Sequence, residues 1–416
     1  MPETESYYVR FTEDMKKEYT ILTPNMLTLH FRLMIQVLRN HGYRMELLET
    51  DGPEIVETGL KYVHNDTCYP AILVIGQFIS ALQSGRYDPH KVALIYFQTG
   101  GGCRASNYIN LLRKALKKAG LEFVPVISMS LSALEDHPGF KLSAGVFMEL
   151  LHAVLYGDLL MSLHNQCKPY ELNPGQTDAL ADDLTRRLAE RIRTDHRYFS
   201  HNEAIYKELM DAFGALPRKK DKKLLVGIVG EIYIKYSPLG NNHLEQLLVD
   251  EGAEVVTPGL FDFLTFGIYV KLVDTRLYGI NRSRYPVLSI AYRVLLNRQR
   301  QLIEAVRADG RFRAPTPFTR ILELSHEVID EGVKMGEGWL LPAEMLELND
   351  SGVHNVICAQ PFGCLPNHIV GKGMMKPIKE KHPEINLVAI DYDPGATRVN
   401  QENRIRLMLS NASRES

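Results

Sequence analysis

Five cysteines offer the most distinctive chemistry in this sequence, and three of them share a local setting. Cys68 lies in Asn65-Asp66-Thr67-Cys68-Tyr69-Pro70, where Asp66 or Thr67 can cap a helix and Pro70 suits its first turn. Cys103 lies in Thr99-Gly100-Gly101-Gly102-Cys103-Arg104, and Cys364 in Gln360-Pro361-Phe362-Gly363-Cys364-Leu365-Pro366-Asn367, each between a strand-like run and a helix-like one. Each thiol thus falls at an expected helix N-terminus, whose partial positive charge favours thiolate. Glycines beside Cys103 and Cys364 let the backbone come close and offer N–H donors, as metal-bound sulfur requires. The three are 35 and 261 residues apart. That spacing is no zinc ribbon, no CxxC redox pair and no ferredoxin run. On the residues alone, scattered structural thiols and a set of metal ligands are both open readings. Cys167 reads as part of a polar helical run. Cys358 ends an apolar strand and reads as core, with a ligand role as the alternative.

Other polar groups fall where they could serve a site. The segment Glu231 to Asn242 reads as a loop between a buried strand and a helix. Glu231 there could move a proton, and Ser237, Asn241 and Asn242 could donate hydrogen bonds to substrate or sulfur; an ordinary polar turn is the alternative. Arg104 could balance negative charge or hold a phosphate, or form a surface ion pair. Asp391 and Asp393 could bind a cation, but Asp391-Tyr392-Asp393-Pro394-Gly395 has turn chemistry. His326-Glu327-Val328-Ile329-Asp330 begins like HExxH and ends in Asp, so it reads as a surface or packing helix. Trp339, the single tryptophan, reads as core packing. His64 and His368 each lie four residues from a cysteine and read as capping or packing residues, with a bond to a cluster as the alternative.

Composition narrows the classes. Hydrophobic residues make up 45% and charged residues 24%, which are globular values. With 48 basic and 50 acidic side chains, a broad nucleic-acid surface is not expected. Mean hydropathy is −0.16, and no apolar run approaching the roughly 20 residues of a membrane span is expected. The acidic start Met1-Pro2-Glu3-Thr4-Glu5 does not read as a signal peptide. An odd number of cysteines argues against a disulfide framework and for reduced thiols in a cytoplasmic setting.

The elements that must hold these residues alternate in the α/β manner. Strands are expected at Tyr19–Leu22, Tyr43–Leu48, Val92–Phe97 and Phe123–Ile127, with helices at Leu27–Asn40, Ala71–Leu82 and Asn107–Ala119. A charged helical stretch, Asp178 to Phe213, ends in the basic run Leu216 to Lys223, read as a solvated linker and domain boundary. The pattern then restarts: strands at Leu224–Val229, Ala253–Val256, Val356–Cys358 and Leu387–Ile390, a helix near His243–Asp250, and long helices over about 283–335. The expectation is α/β, with two or more Rossmann-like subdomains whose parallel sheets face a central cleft. An N-terminal half, 1–216, carries Cys68 and Cys103; a C-terminal half, 217–416, carries Cys364. In such sheets ligands sit at the carboxyl ends of strands.

Longer segments carry a resemblance. They include Gly59-Leu60-Lys61-Tyr62-Val63-His64 with Asn65 to Pro70, Gln98 to Tyr108, Gly230 to Asn242, Gly336-Glu337-Gly338-Trp339-Leu340-Leu341 and Gln360 to Asn367. In these the chain resembles the 2-hydroxyacyl-CoA dehydratase-related iron–sulfur proteins, and among them the dehydratase-like portion of very large activase-related proteins. The resemblance implies an oxygen-sensitive cluster held by Cys68, Cys103 and Cys364, most simply [4Fe-4S] with one open iron. A double cubane would need ligands beyond five cysteines, or a second subunit. It implies a low-potential reductase or dehydratase, of which radical-type chemistry on an acyl-CoA is one form; Glu231, read from its own segment, would be the proton carrier. It also implies a homo- or heterodimer in an anaerobic cytoplasm. No P-loop occurs in the sequence, so the ATP-hydrolysing activator of such systems is expected on a partner. The alternatives are a non-catalytic electron-transfer or assembly partner of that activator, a double-cubane small-molecule reductase and a zinc-binding structural protein. Neither nucleic acid nor membrane is an expected partner.

Overall fold

The computed structural model of the chain describes residues 8–64, 66–97, 102–129, 135–195 and 201–415. Its first part runs α1 (Glu13–Glu18), β1 (Thr20–Pro24), α2 (Thr28–Asn40), β2 (Arg44–Leu48), α3 (Glu54–Tyr62), α4 (Tyr69–Gln83), β3 (Val92–Phe97), α5 (Tyr108–Lys118) and β4 (Val126–Met129). Three helices follow, α6 (Ala144–Cys167), α7 (Gln176–Thr194) and α8 (Asn202–Gly214). The last part begins β5 (Leu224–Gly230), α9 (Ile232–Tyr236), α10 (Pro238–Asn241), α11 (Leu244–Asp250), β6 (Ala253–Val256), α12 (Leu260–Tyr278), α13 (Tyr285–Asp309) and α14 (Phe318–Ser325). It ends with α15 (Leu340–Asp350), β7 (Asn355–Pro361), α16 (Met375–Lys381), β8 (Asn386–Tyr392) and α17 (Arg398–Glu415).

The strands form two parallel four-stranded sheets, ordered β2-β1-β3-β4 and β6-β5-β7-β8. The expected α/β class holds, and both sheets have the same order. In each, the chain reverses its direction of growth between the first and third strands, the switch point where α/β sheets bind ligands. One apolar core contains Leu22 and Leu94 of the first sheet, Ile72 and Ile75 of α4, and Val226 and Ile357 of the second. Both sheets are therefore held against a common interior. That explains why α4 is apolar on every side, where a surface helix would carry a stripe.

Helix α6 corrects the expectation about apolar runs. Ala144 to Tyr170 is long and apolar enough to cross a membrane, yet 78% of its most apolar window is buried inside the fold. It packs in a second core with α2, α8 and α12, as a central helix of a large domain does. Cys167, its last residue, lies in that core and not in a polar run. The basic linker is pinned there as well: Arg218 Nη1 donates to Cys167 Sγ at 3.4 Å, and its guanidinium lies over Phe312.

Candidate functional site

The three cysteine segments meet. Cys68 caps α4, and the amide of the next residue, Tyr69, donates to Phe362 O at 3.0 Å. Phe362 and Gly363 form the turn between β7 and Cys364. Gly363 has φ +74°, and a Cβ on it would lie 3.0 Å from Thr67 O and 3.1 Å from Cys68 Cα. Cys103 precedes a single 3₁₀ turn, Arg104–Asn107, and Arg104 Nη1 donates to Asp66 O at 2.5 Å. A fourth segment closes the ring. Gly102 N donates to Met335 Sδ at 3.2 Å, and a Cβ on Gly336 would lie 3.8 Å from Cys103 Sγ. Gln98 to Gly101 and Asn65 lie outside the described residues.

Topology explains the meeting. Cys103 follows β3 and Cys364 follows β7, the third strand of each sheet order. Glu231 follows β5, across the switch point from Cys364. Glu337 stands just before α15, the helix leading into β7, much as Cys68 stands just before α4, the helix leading into β3. The second half thus presents a carboxylate where the first presents a thiol.

Glu231 Oε2 accepts the Ile234 amide at 2.9 Å, and Glu337 Oε1 accepts the Ile232 amide at 3.0 Å. Two carboxylates therefore share the first turn of α9. Burial and then the charge of Glu337 push the Glu231 carboxyl up to about 8, against the amides of Ile234 and Tyr233 and the cation of Lys235. Burial also raises the Glu337 carboxyl. Burial pushes the Cys68 thiol up to about 12; the Tyr108 hydroxyl on its sulfur opposes this, and the charges of Glu231 and Cys103 add to it. The Cys364 thiol is raised by burial, then by Glu337 and Glu231. The expectation that helix N-termini would favour thiolate is overturned for Cys68 and Cys364. Desolvation, joined by the charge of Glu231 at Cys68 and of Glu337 and Glu231 at Cys364, works against the dipole, and the helical segment after Cys364 is short.

No protein-family model matches the chain, and none of the curated proteins matches it.

Among the described residues, no three His, Cys, Asp or Glu side chains gather tightly enough to hold one metal ion. A cubane is wider than one ion and takes thiolates from separate segments. The three cysteines suit it in donor type, and Gly363 and Gly336 leave room where a side chain would collide with the cysteine segments. None of the five cysteines is in a disulfide.

The remaining candidates resolve into structure. Glu231 to Asn242 is helical, as α9 and α10, and not a loop. Ser237 caps α10, accepting the Gly240 amide at 3.3 Å. Asn241 bonds Ile234 O at 2.9 Å, and Asn242 bonds Gln401 Oε1 at 2.8 Å. Asp393 accepts the Gly395 amide at 2.7 Å, as a turn residue does, while Asp391 lies 3.9 Å from both Lys372 and Arg404. His326 ends α14, and the residues after it are turns, not the expected helix. Trp339 is fully buried against Phe266, Tyr269 and Phe318. Cys358 lies in the core of β7, with Sγ 3.4 Å from Asn367 Oδ1. His64 is exposed, and His368 pairs with Gln360. Sequence reasoning passed over Glu337 and Tyr108 as site residues. The signal for Glu337 was its place between Gly336 and Gly338, both at positive φ.

Proposed function

We propose that this chain is an iron–sulfur protein of the 2-hydroxyacyl-CoA dehydratase-related group, with Cys68, Cys103 and Cys364 as cluster ligands. The carrying observation is the contact among the three cysteine segments at the carboxyl ends of two like-ordered sheets. The cluster, most simply [4Fe-4S], would supply low-potential electrons and an open iron. The chain's own residues do the rest. The Tyr108 hydroxyl is hydrogen-bonded to the Cys68 sulfur, and with the sulfur as thiolate it would be the donor. Glu231 stands by as proton carrier for a reductase or dehydratase reaction, on an acyl-CoA in the simplest case. Thiols raised by burial must lose their protons on loading, so cluster assembly releases acid. In this reading the protein is cytoplasmic and dimeric, and an ATP-hydrolysing activator reduces it.

One observation favours a second reading, a non-catalytic electron-transfer partner. Exposed Phe97, Met335, Phe362, Leu365 and Ile369 stand on the cysteine-bearing segments and their neighbours, an apolar rim suited to another protein. The test is anaerobic purification with counting of iron and acid-labile sulfide. About four of each per chain are expected for a cubane, and about eight would indicate the double-cubane form. C68A, C103A and C364A should each lower the iron content, while C167A and C358A should not. Full iron in the first three variants, or none in the wild type from cells that build clusters, would overturn the assignment. If an acyl-CoA leaves the EPR signal of the reduced protein unchanged, the electron-transfer reading leads.

A further inference from the structure

The tip where α12 turns into α13 is apolar and exposed. Leu277 and Tyr278 end α12, Ile280 lies in the turn, and Tyr285, Val287 and Ile290 begin α13. Val287 and Ile290 are 69% and 62% exposed. The patch is set in charge of one sign. From Thr275 to Ile303 the chain holds six arginines and no acid. Arg276 is tied to Glu331 and Arg300 to Glu304, but Arg282, Arg284 and Arg293 form no ion pair among the described residues. Apolar side chains with arginine, and neither lysine nor acid, are the make-up of an interface core.

The face of α13 beyond the tip has the form of a seat for a helix. Val287, Ile290, Val294 and Asn297 follow one another at intervals of three, four and three residues, the spacing at which two helices interlock. A cleft of about 320 Å³ opens on this face, lined by Ile290, Arg293, Val294, Asn297 and Arg298. Arg298 Nε is buried with no acceptor among the described residues. A donor left in that state at the wall of a cleft suits an acidic occupant.

We propose that this surface seats an amphipathic helix of another protein, its apolar stripe on Val287, Ile290 and Val294 and its flanking carboxylates on Arg282, Arg284, Arg293 and Arg298. A second copy of the chain does not fit, because a two-fold contact would bring the same unpaired arginines together. A lipid surface has no use for the interlocking spacing or the cleft. The seat adjoins the cysteine segments. Lys334 pairs with Asp274 of α12, and its Nζ lies 5.5 Å over the Tyr278 ring. The next residue, Met335, accepts the Gly102 amide beside Cys103. The docking itself stands without a cluster.

The test uses two dye-labelled synthetic helices with leucine at the same three-and-four spacing, one flanked by glutamate and one by lysine. Fluorescence anisotropy reads their binding to the full chain. The glutamate helix is expected to bind about tenfold or more tightly than the lysine helix, and more weakly as salt is added. I290D should weaken it by about tenfold or more; Ile290 is exposed, so the variant keeps its core. R282E/R284E/R293E should reverse the preference. Equal binding of the two helices, no binding of the glutamate helix, or binding untouched by I290D would overturn the proposal. So would self-association in the ultracentrifuge that I290D abolishes, which would give the seat to a second copy. Sedimentation with phosphatidylserine vesicles that I290D abolishes would give it to a membrane, and overturns the proposal as well.

Discussion

Lys235 and Glu344 form a buried ion pair, with Nζ 2.8 Å from Oε1 and the two side chains 4% and 2% exposed. The pair joins α9, which carries the carboxylates of the site, to α15, which follows Glu337. Burial raises the Glu344 carboxyl, and the lysine opposes the rise. Such a pair contributes little net stability, but removing one partner strands the other.

K235A should therefore cost about 3–5 kcal/mol. The double variant K235M/E344L should recover most of the loss, because the apolar pair has nothing to desolvate. Urea unfolding midpoints at fixed protein concentration report both. A K235A midpoint equal to wild type would mean that water reaches the pair.

Alkaline pH should weaken the metal-free protein through Cys68. Its thiol is held protonated to about 12, against an ordinary value of 9.0. The contribution is whole below the ordinary value. Above it the unfolded chain gives up the proton while the folded chain keeps it. Stability then falls with rising pH by about 1.4 kcal/mol per unit, until the folded thiol titrates as well. C68A removes this slope. The stability gap between wild type and C68A should narrow from about pH 9 to about pH 12. A gap independent of pH would show that the buried thiol does not titrate as described.

The sequence carried the sheets well and the helices unevenly. β3 and β6 match the expected strands residue for residue; β3 is an apolar run, as an inner strand of a parallel sheet is. β4 starts at Val126, later than expected, since Phe123 is exposed and Pro125 cannot donate to a ladder. α6 and α12 have no one-sided stripe to announce them, because other elements cover them on several sides. α9 and α10 span five and four residues, too few for a helical period to show. The three cysteines of the candidate site stood out by their local setting. Their meeting was not legible, since periodicity gives elements and not which loops converge. Glu337 stayed hidden for the same reason: only the fold carries it to the start of α9.

Gly363 is the point of that convergence where a side chain would meet the backbone of the Cys68 segment. Its φ of +74° disfavours a side chain, and a Cβ there would meet Thr67 O at 3.0 Å and Cys68 Cα at 3.1 Å, both backbone atoms. G363A should therefore push the Cys364 turn away from Cys68, costing about 1–3 kcal/mol and lowering the iron retained after anaerobic purification. Gly352 is the control. It has φ +85° with nothing within 4 Å of a built Cβ, so G352A meets the same backbone strain without the crowding. G352A should lose about 1 kcal/mol and keep its iron. Equal iron in the two variants would show that the proposed cluster does not depend on the contact between the Cys68 and Cys364 segments.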